Sequence, residues 1–315
     1  MDSLQYIRTR KSSVRNVGQI TKAMEVVAAT KMRKAQEAAL RSRPYAFRAL
    51  ELLAQMTRNE IQDKDDQSSW TSDVQKVKKT ALLVVASDKG LTGSFNAQVY
   101  RAADAFLAKD EYRSREDHAY VIVPIGRKAH NYARKKGIEI VRSFAGFGDY
   151  ARPEEIDPLA VFLFDGFESG SWDRIVTIST HFRTALRQET ISRQLVPVDF
   201  RKILETVREI VPEHGRFAEI REAEAPAAAV DYIFEPSPKA IREALIPHLL
   251  KMQVYHLILE ANASEHSARR VAMKTASDNA EELLESLTLL YNKARQTSIT
   301  KELIEITSTQ QALAS

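Results

Sequence analysis

The chain has 315 residues, of which 44% are hydrophobic and 28% charged, with a formal net charge of +4. It can bury one large core or two, and it is too mildly basic for charge alone to name a partner. It contains no cysteine, which excludes disulfides, thiolate nucleophiles and Cys-ligated metals, and no run of about 18 apolar residues predicts a membrane-spanning helix.

The first segment reads as a long amphipathic helix. Val17, Ile20, Met24 and Val27 recur at helical spacing, and Leu4, Ile7 and Val14 extend the same side backward, so one apolar stripe is expected to face a partner. Acidic Asp2 and the immediate onset of this pattern predict a mature terminus rather than a presequence. From Arg8 to Arg48 eleven basic side chains stand against two acidic ones, Glu25 and Glu37. That imbalance fits a solvated helix face, an acidic protein socket or nucleic acid.

The middle of the chain has a different texture. KTALLVVAS (79–87) and AYVIVPIG (119–126) are buried-strand runs, followed by the helical patterns NAQVYRAADAFLA and RKAHNYARKKG, and IEIVRSF starts a third unit. This alternation predicts an open α/β sheet. DRIVTISTHF (173–182) and ISRQLVPV (191–198) read as adjacent strands joined by RTALRQET, a candidate hairpin, and VDYIFEP as a short strand leading to Pro238 at a helix start. Segments 59–78 and 199–229 read as surface connections.

The last 68 residues, His248 to Ser315, contain neither glycine nor proline and are rich in Ala, Leu, Glu, Lys and Arg, so they predict one helix about 100 Å long. Leu283, Leu287, Leu290 and Ala294 give it a stripe of coiled-coil spacing. The fold class expected is therefore α/β: a long antiparallel coiled coil of the two terminal helices plus a Rossmann-like open α/β domain. The division expected is 1–58 and 236–315 as coiled-coil helices, with 75–235 as the base and 199–229 an insertion in it.

Catalytic chemistry is hard to find. SDKGLTGSFNAQ (87–98) places a glycine-bearing loop between a strand and a helix, but it lacks both the G-x-G-x-x-G and the G-K-[ST] fingerprints. Its glycines are expected to make a turn, with Ser94 or Asn96 capping the helix. The seven histidines nowhere fall at i, i+4 spacing, and neither a nucleophile elbow nor a metal ligand set is present. No catalytic residue, cofactor or metal is assigned. A dehydrogenase-like enzyme would need the missing fingerprint, and a nucleic-acid-binding or scaffold coiled coil would want aromatics among the basic residues, of which there are none from Arg8 to Arg43.

At both ends the sequence becomes specific. QITKAMEVVAATKMRKAQ (19–36) and ASEHSARRVAMKTASDNAEELLESLTLLYNKARQTSITKELIEI (263–306) closely resemble the gamma-subunit family of ATP synthase, as do SDKGLTGSFN, with Thr92 where the family usually has Cys, and DYIFEPSP (231–238). The resemblance implies a non-catalytic rotor shaft turning inside a ring of alpha and beta subunits, with its base on the epsilon subunit and the membrane c-ring. It implies a peripheral place on the cytoplasmic face of a bacterial plasma membrane, with no nucleic acid bound and no membrane insertion. By the same resemblance Met24, Arg269, Arg295, Gln296 and Thr300 match beta-subunit contacts, and Tyr232, Phe234 and Glu235 match the foot on the c-ring. Stripes and resemblance together suggest a register in which facing residue numbers sum to about 293, setting Val17 near Ala276, Ile20 near Met273 and Met24 near Arg269.

Overall fold

The computed structural model describes residues 4–41, 70, 77–148, 151–184, 186–198 and 235–314. The chain divides into two compact units, Met1–Ala29 with Arg269–Ser315, and Thr30–Ala268. Two long helices contribute to both: α1, Leu4–Arg41, and the C-terminal helix, Pro238–Ala314.

The larger unit is built on a sheet. Along the chain come β1 (Lys79–Val85), α2 (Phe95–Lys109), β2 (Ala119–Ile125), α3 (Arg127–Lys136), β3 (Glu139–Ile140), α4 (Pro153–Glu168), β4 (Arg174–Phe182), β5 (Gln188–Val196) and then α5, the C-terminal helix. The sheet order is β3-β2-β1-β4-β5, parallel except for β5, which pairs antiparallel with β4. The strands expected at 79–87, 119–126, 173–182 and 191–198 and the crossover helices after the first two are present, and the third unit begins with the two-residue strand β3. The hairpin is tighter than expected, because β5 already begins at Gln188 and takes in the last three residues of RTALRQET.

Both faces of the sheet are covered, which is why its strands read as unbroken apolar runs. Alternate residues of β1 point opposite ways. Leu82 and Val84 meet Val99 and Ala103 of α2 and Ala129 and Ala133 of α3, whereas Ala81, Leu83 and Val85 meet Ile156, Leu159 and Leu163 of α4 and Ile246, Leu250 and Val254 of α5. Helix α4 escaped the periodicity reading because Pro158 interrupts it. Its start signals were nonetheless present, Pro153 in the first turn with Glu154 and Glu155 beside the positive end of the helix dipole. A side chain at Gly166 would put a Cβ 1.9 Å from the Trp172 ring, whose Nε1 donates to the Leu163 carbonyl at 2.9 Å. That glycine lets the indole close the end of α4.

In the smaller unit α1 and α5 run antiparallel. Ser277 Oγ donates to Thr21 Oγ1 at 2.7 Å, and a Cβ added at Gly18 would stand 3.3 Å from the Cβ of Ala280. Both pairs sum to 298, five residues from the expected register. Buried or partly buried at heptad spacing are Ile7, Val14, Gly18, Thr21 and Ala28 on α1, and Met273, Ser277, Ala280, Leu284, Leu287, Tyr291 and Ala294 on α5. The heptad period is as expected, and Leu4, Ile7, Val14 and Met24 are buried or partly buried as expected, but Val17, Ile20 and Val27 are exposed and the residues after them, Gly18, Thr21 and Ala28, take the inner places. On α5, Leu287 and Ala294 lie on the inner face and Leu283 and Leu290 do not. The reason is steric. Glycine, alanine and short hydroxyl side chains let two backbones approach closely, which bulky β-branched residues at the same positions would prevent.

Candidate partner-binding surfaces

Turning the small residues inward leaves large ones outside. On the smaller unit Val17, Ile20, Val26 and Val27 of α1 are each more than half exposed, as are Leu289, Leu303, Ile304 and Ile306 of α5, with Leu289 at 73%. So many exposed aliphatic residues on two helices mark surfaces built to be covered. Among them stand cations, including Lys22, which pairs with Glu25 at 2.9 Å. That hydrogen bond, seconded by the Glu25 charge, raises the Lys22 pKa above the ordinary lysine value. The alternation of apolar and basic side chains is the pattern expected for a protein socket with acidic loops.

The residues matched by resemblance are placed as follows. Met24 and Arg269 are partly buried, whereas Arg295, Gln296 and Thr300 are exposed near the far end of α5, and Thr300 Oγ1 donates to the Gln296 carbonyl at 2.9 Å. The 298 register carries Met24 opposite position 274, five residues beyond Arg269, so these two do not face each other as expected. Glu235 is exposed just before α5. Tyr232 and Phe234 lie outside the described residues, as do the strand reading of VDYIFEP up to Phe234 and the 199–229 insertion.

The loop after β1 turns out to be tied to itself. Ser87 N and Oγ both reach Asn96 Oδ1 at 3.0 Å, and Asn96 Nδ2 donates to Thr92 Oγ1 at 3.1 Å. Asn96 therefore fastens the loop to the strand end instead of capping α2, and Ser94 occupies the N-cap position without a side-chain cap bond. Gly93 makes the expected turn at φ 54°, and Leu91 shares that left-handed conformation at φ 62°.

An acid from the end of β1 sits at the N-terminus of α3. Asp88 accepts from Arg127 N at 3.0 Å, at the start of α3, and from Gly146 N at 2.9 Å, so the positive end of that helix is answered from within the chain. The cavity there is about 30 Å³, and Asp88, Asn262 and Glu265 are among its lining residues. That is room for roughly one or two waters. Its two carboxylates would repel a phosphate.

One buried polar tie joins α5 to the sheet. Glu260 accepts from His181 Nδ1 at 2.8 Å, and Ser264 Oγ donates to the Thr180 carbonyl nearby. Burial alone would push the Glu260 pKa up. The His181 hydrogen bond and the charges of His181, Arg193 and His256 outweigh it and hold the carboxyl below the ordinary glutamate value.

Comparison with known proteins places this arrangement. A family model described as ATP synthase matches residues 3–313. An ATP synthase gamma chain from Roseiflexus castenholzii is 38% identical, over all of this chain and 99% of the relative, and one from Opitutus terrae is 38% identical over the whole of both. Among solved structures, the central stalk and c-ring of the Tetrahymena thermophila mitochondrial ATP synthase has a chain similar at TM-score 0.56 and 24% identity, covering 82% of this chain and 99% of that one. A chain of the Euglena gracilis mitochondrial enzyme is similar at TM-score 0.61 and 17% identity, covering 98% and 94%. These two likenesses speak for the fold.

Proposed function

Because the chain belongs to the gamma-chain family of ATP synthase, the central-stalk subunit, we propose that its paired terminal helices form an antiparallel coiled-coil shaft turned by the c-ring inside the catalytic head. Residues 1–58 and 236–315 supply the shaft, and 75–235 the base. The observation that carries this reading is the outward apolar face of α1 and α5. Exposed aliphatic side chains are stable on such a surface when another protein covers them, and a ring of alpha and beta subunits does so around the whole circumference.

The chain's contribution is mechanical. In its inner seam Gly18, Thr21, Ala28, Ser277 and Ala280 let the helices approach closely and Ile7, Met273 and Leu287 fill the space between them, and a tightly packed pair of helices resists twisting in a way that a flexible linker cannot. Rotation presents different outward residues to each beta subunit in turn, and that changing contact drives the beta sites through binding, synthesis and release of ATP. Catalysis belongs to the beta subunits. Met24, Arg269, Arg295, Gln296 and Thr300 touch the beta subunits, with the arginines as donors to carboxylates. Tyr232, Phe234 and Glu235 form the foot on the c-ring, beside the epsilon subunit. Among the described residues no helix is long and apolar enough to cross a membrane, and attachment runs through the c-ring at the cytoplasmic face of a bacterial membrane.

The test is to purify a tagged chain from gently solubilised membranes and identify what accompanies it. Alpha, beta, epsilon and c subunits in fixed proportion are expected, together with ATP hydrolysis by the complex. A chain recovered alone, or with unrelated proteins, overturns the proposal.

A further inference from the structure

Over much of its contact with the sheet α5 is held by aliphatic side chains, Ile246, Leu250, Val254 and Ile258 among them. Such contacts have no direction, so they resist withdrawal of the helix better than its rotation about its own axis. In about the last two turns before Arg269, where the helix passes into the smaller unit, the contact changes character. Glu260 accepts from His181 Nδ1 at 2.8 Å, Ser264 Oγ donates to the Thr180 carbonyl at 3.4 Å, and Gln188 Nε2 donates to Ser267 Oγ at 3.2 Å. Positions 260, 264 and 267 share one side of the helix, within about 60° of each other. Asn262 projects about 160° away from the middle of that side, and its Nδ2 donates to the Gly148 carbonyl at 3.2 Å. At this level α5 is tied from opposite sides.

The central tie is a poor device for stability alone. His181 is 2% exposed, and its Nε2 has no hydrogen-bond partner among the described residues, which costs free energy in an interior. Apolar residues of similar bulk commonly match or exceed the stability that a buried hydrogen-bonded pair of titratable groups supplies. What apolar residues do not supply is direction. A hydrogen bond is satisfied in one setting of the helix and broken when the helix turns.

We propose that His181 and Glu260, with Asn262 on the opposite side, are positioning residues that fix the rotational setting of α5 in the base, so that turning the base turns the shaft through the same angle. This rests on the rotor reading above. Without these ties the helix still sits on the sheet, but it twists in its seat under load, and part of each rotation is lost before it reaches the beta subunits.

The test uses the whole complex, held by its head, with an optical probe attached through Lys135→Cys, an exposed position of α3 in a chain that has no cysteine of its own. Recovery of alpha and beta with this chain, and rotation of the probe when ATP is added, check the rotor reading by themselves. The angular variance of the probe is then measured with turnover stopped. His181→Leu combined with Glu260→Met keeps the bulk and leaves no unpaired carboxylate, so its denaturation midpoint should equal or exceed the parent's. Because ties on opposite sides add, loss of one side should raise the angular variance about twofold at equal assembly. His181→Asn, whose Nδ2 stands about where the histidine Nδ1 stood, should keep the parent's variance. Asn262→Ala removes the opposite tie without disturbing the buried pair and should also raise the variance about twofold, whether or not the double variant assembles. A role in stability alone would move the midpoint and leave the variance unchanged. In complexes that contain alpha and beta, a variance equal to the parent's in the double variant or in Asn262→Ala overturns the proposal. So does a variance in His181→Asn as wide as that of the double variant.

Discussion

Thr21 and Ser277, 256 residues apart in the chain, meet through a 2.7 Å hydrogen bond one turn from the contact of Gly18 with Ala280. A polar contact inside a helical seam is satisfied in one alignment and stranded in others, so this pair specifies register as a buried polar residue does in coiled coils. Cysteines at 21 and 277, in a chain with none of its own, should therefore form a disulfide on mild oxidation, since side-chain oxygens 2.7 Å apart show that short side chains at these positions already meet. Cysteines at 20 and 273 should not, because Ile20 is 60% exposed on the outer side of α1. Non-reducing gels on the two double variants decide between the 298 and 293 registers.

Gly126 and Gly137 both have positive φ, at 88° and 70°, but only the first is crowded. A Cβ at 126 would stand 2.1 Å from the Ala86 carbonyl oxygen, and nothing lies within 4 Å of one at 137. Gly137→Ala should cost about 1 kcal/mol, the strain of a left-handed residue. Gly126→Ala adds a clash with backbone and should cost about 3 kcal/mol or more while disturbing the Asp88 contacts with Arg127 and Gly146. Urea denaturation of the full chain should rank the two in that order, and equal losses would remove the argument for a tight junction between β1 and β2.

Much of this architecture is legible in the sequence, for reasons that particular residues make plain. The strands 79–85 and 119–125 announce themselves because both faces are buried over Ala81–Val85 and Val121–Ile125, where every residue is apolar. Helix α4 is hard to read from the sequence because Pro158 stands inside it, past the first turn, where a proline forfeits a helical hydrogen bond and ordinarily marks a break. The terminal seam is legible in part, at Ile7, Val14 and Leu287, and misleading around Val17 and Ile20, where hydrophobicity does not mean burial. Here Val17, Ile20 and Val27 face outward, and the inner positions beside them are held by residues as small as Gly18 and as polar as Thr21. A single chain's pattern cannot say which of two apolar faces belongs to itself and which to a partner. The role of Asn96 was equally invisible, since its bonds to Ser87 and Thr92 depend on a loop folding back on the strand it left.

Glu260 gives α5 a pH-dependent hold on the sheet. Its pKa is lower folded than unfolded, so its stabilisation is fully present above the ordinary glutamate value of 4.5 and is lost as pH falls through the lower folded value. Glu260→Gln should therefore be less stable than the parent chain at pH 7, and the difference should narrow as pH falls below 4.5. Denaturation midpoints of the two chains across that range check the sign. A gap that widens in acid would mean that the carboxylate is not held by His181 and its neighbours.

The outward arginines carry the sharpest functional expectation. Arg295 is exposed, and its neighbour Lys293 is exposed as well, so solvent treats the two alike in the isolated chain. If Arg295 meets a carboxylate of a beta subunit, reversing it sets like charges together in a contact that has lost part of its water, at a cost of about 2 to 5 kcal/mol. Lys293, to which no contact is assigned, should tolerate the same reversal within about 0.5 kcal/mol. Arg269→Glu should resemble Arg295→Glu in direction, with a further loss of stability because Arg269 is partly buried. The measurement is proton-driven ATP synthesis in membrane vesicles, normalised to the amount of assembled complex. Synthesis that survives Arg295→Glu as well as it survives Lys293→Glu would show that this arginine bears on no acidic loop. Loss confined to the arginine variants, with assembly intact, would place it at the moving contact where rotation is turned into work on the beta sites.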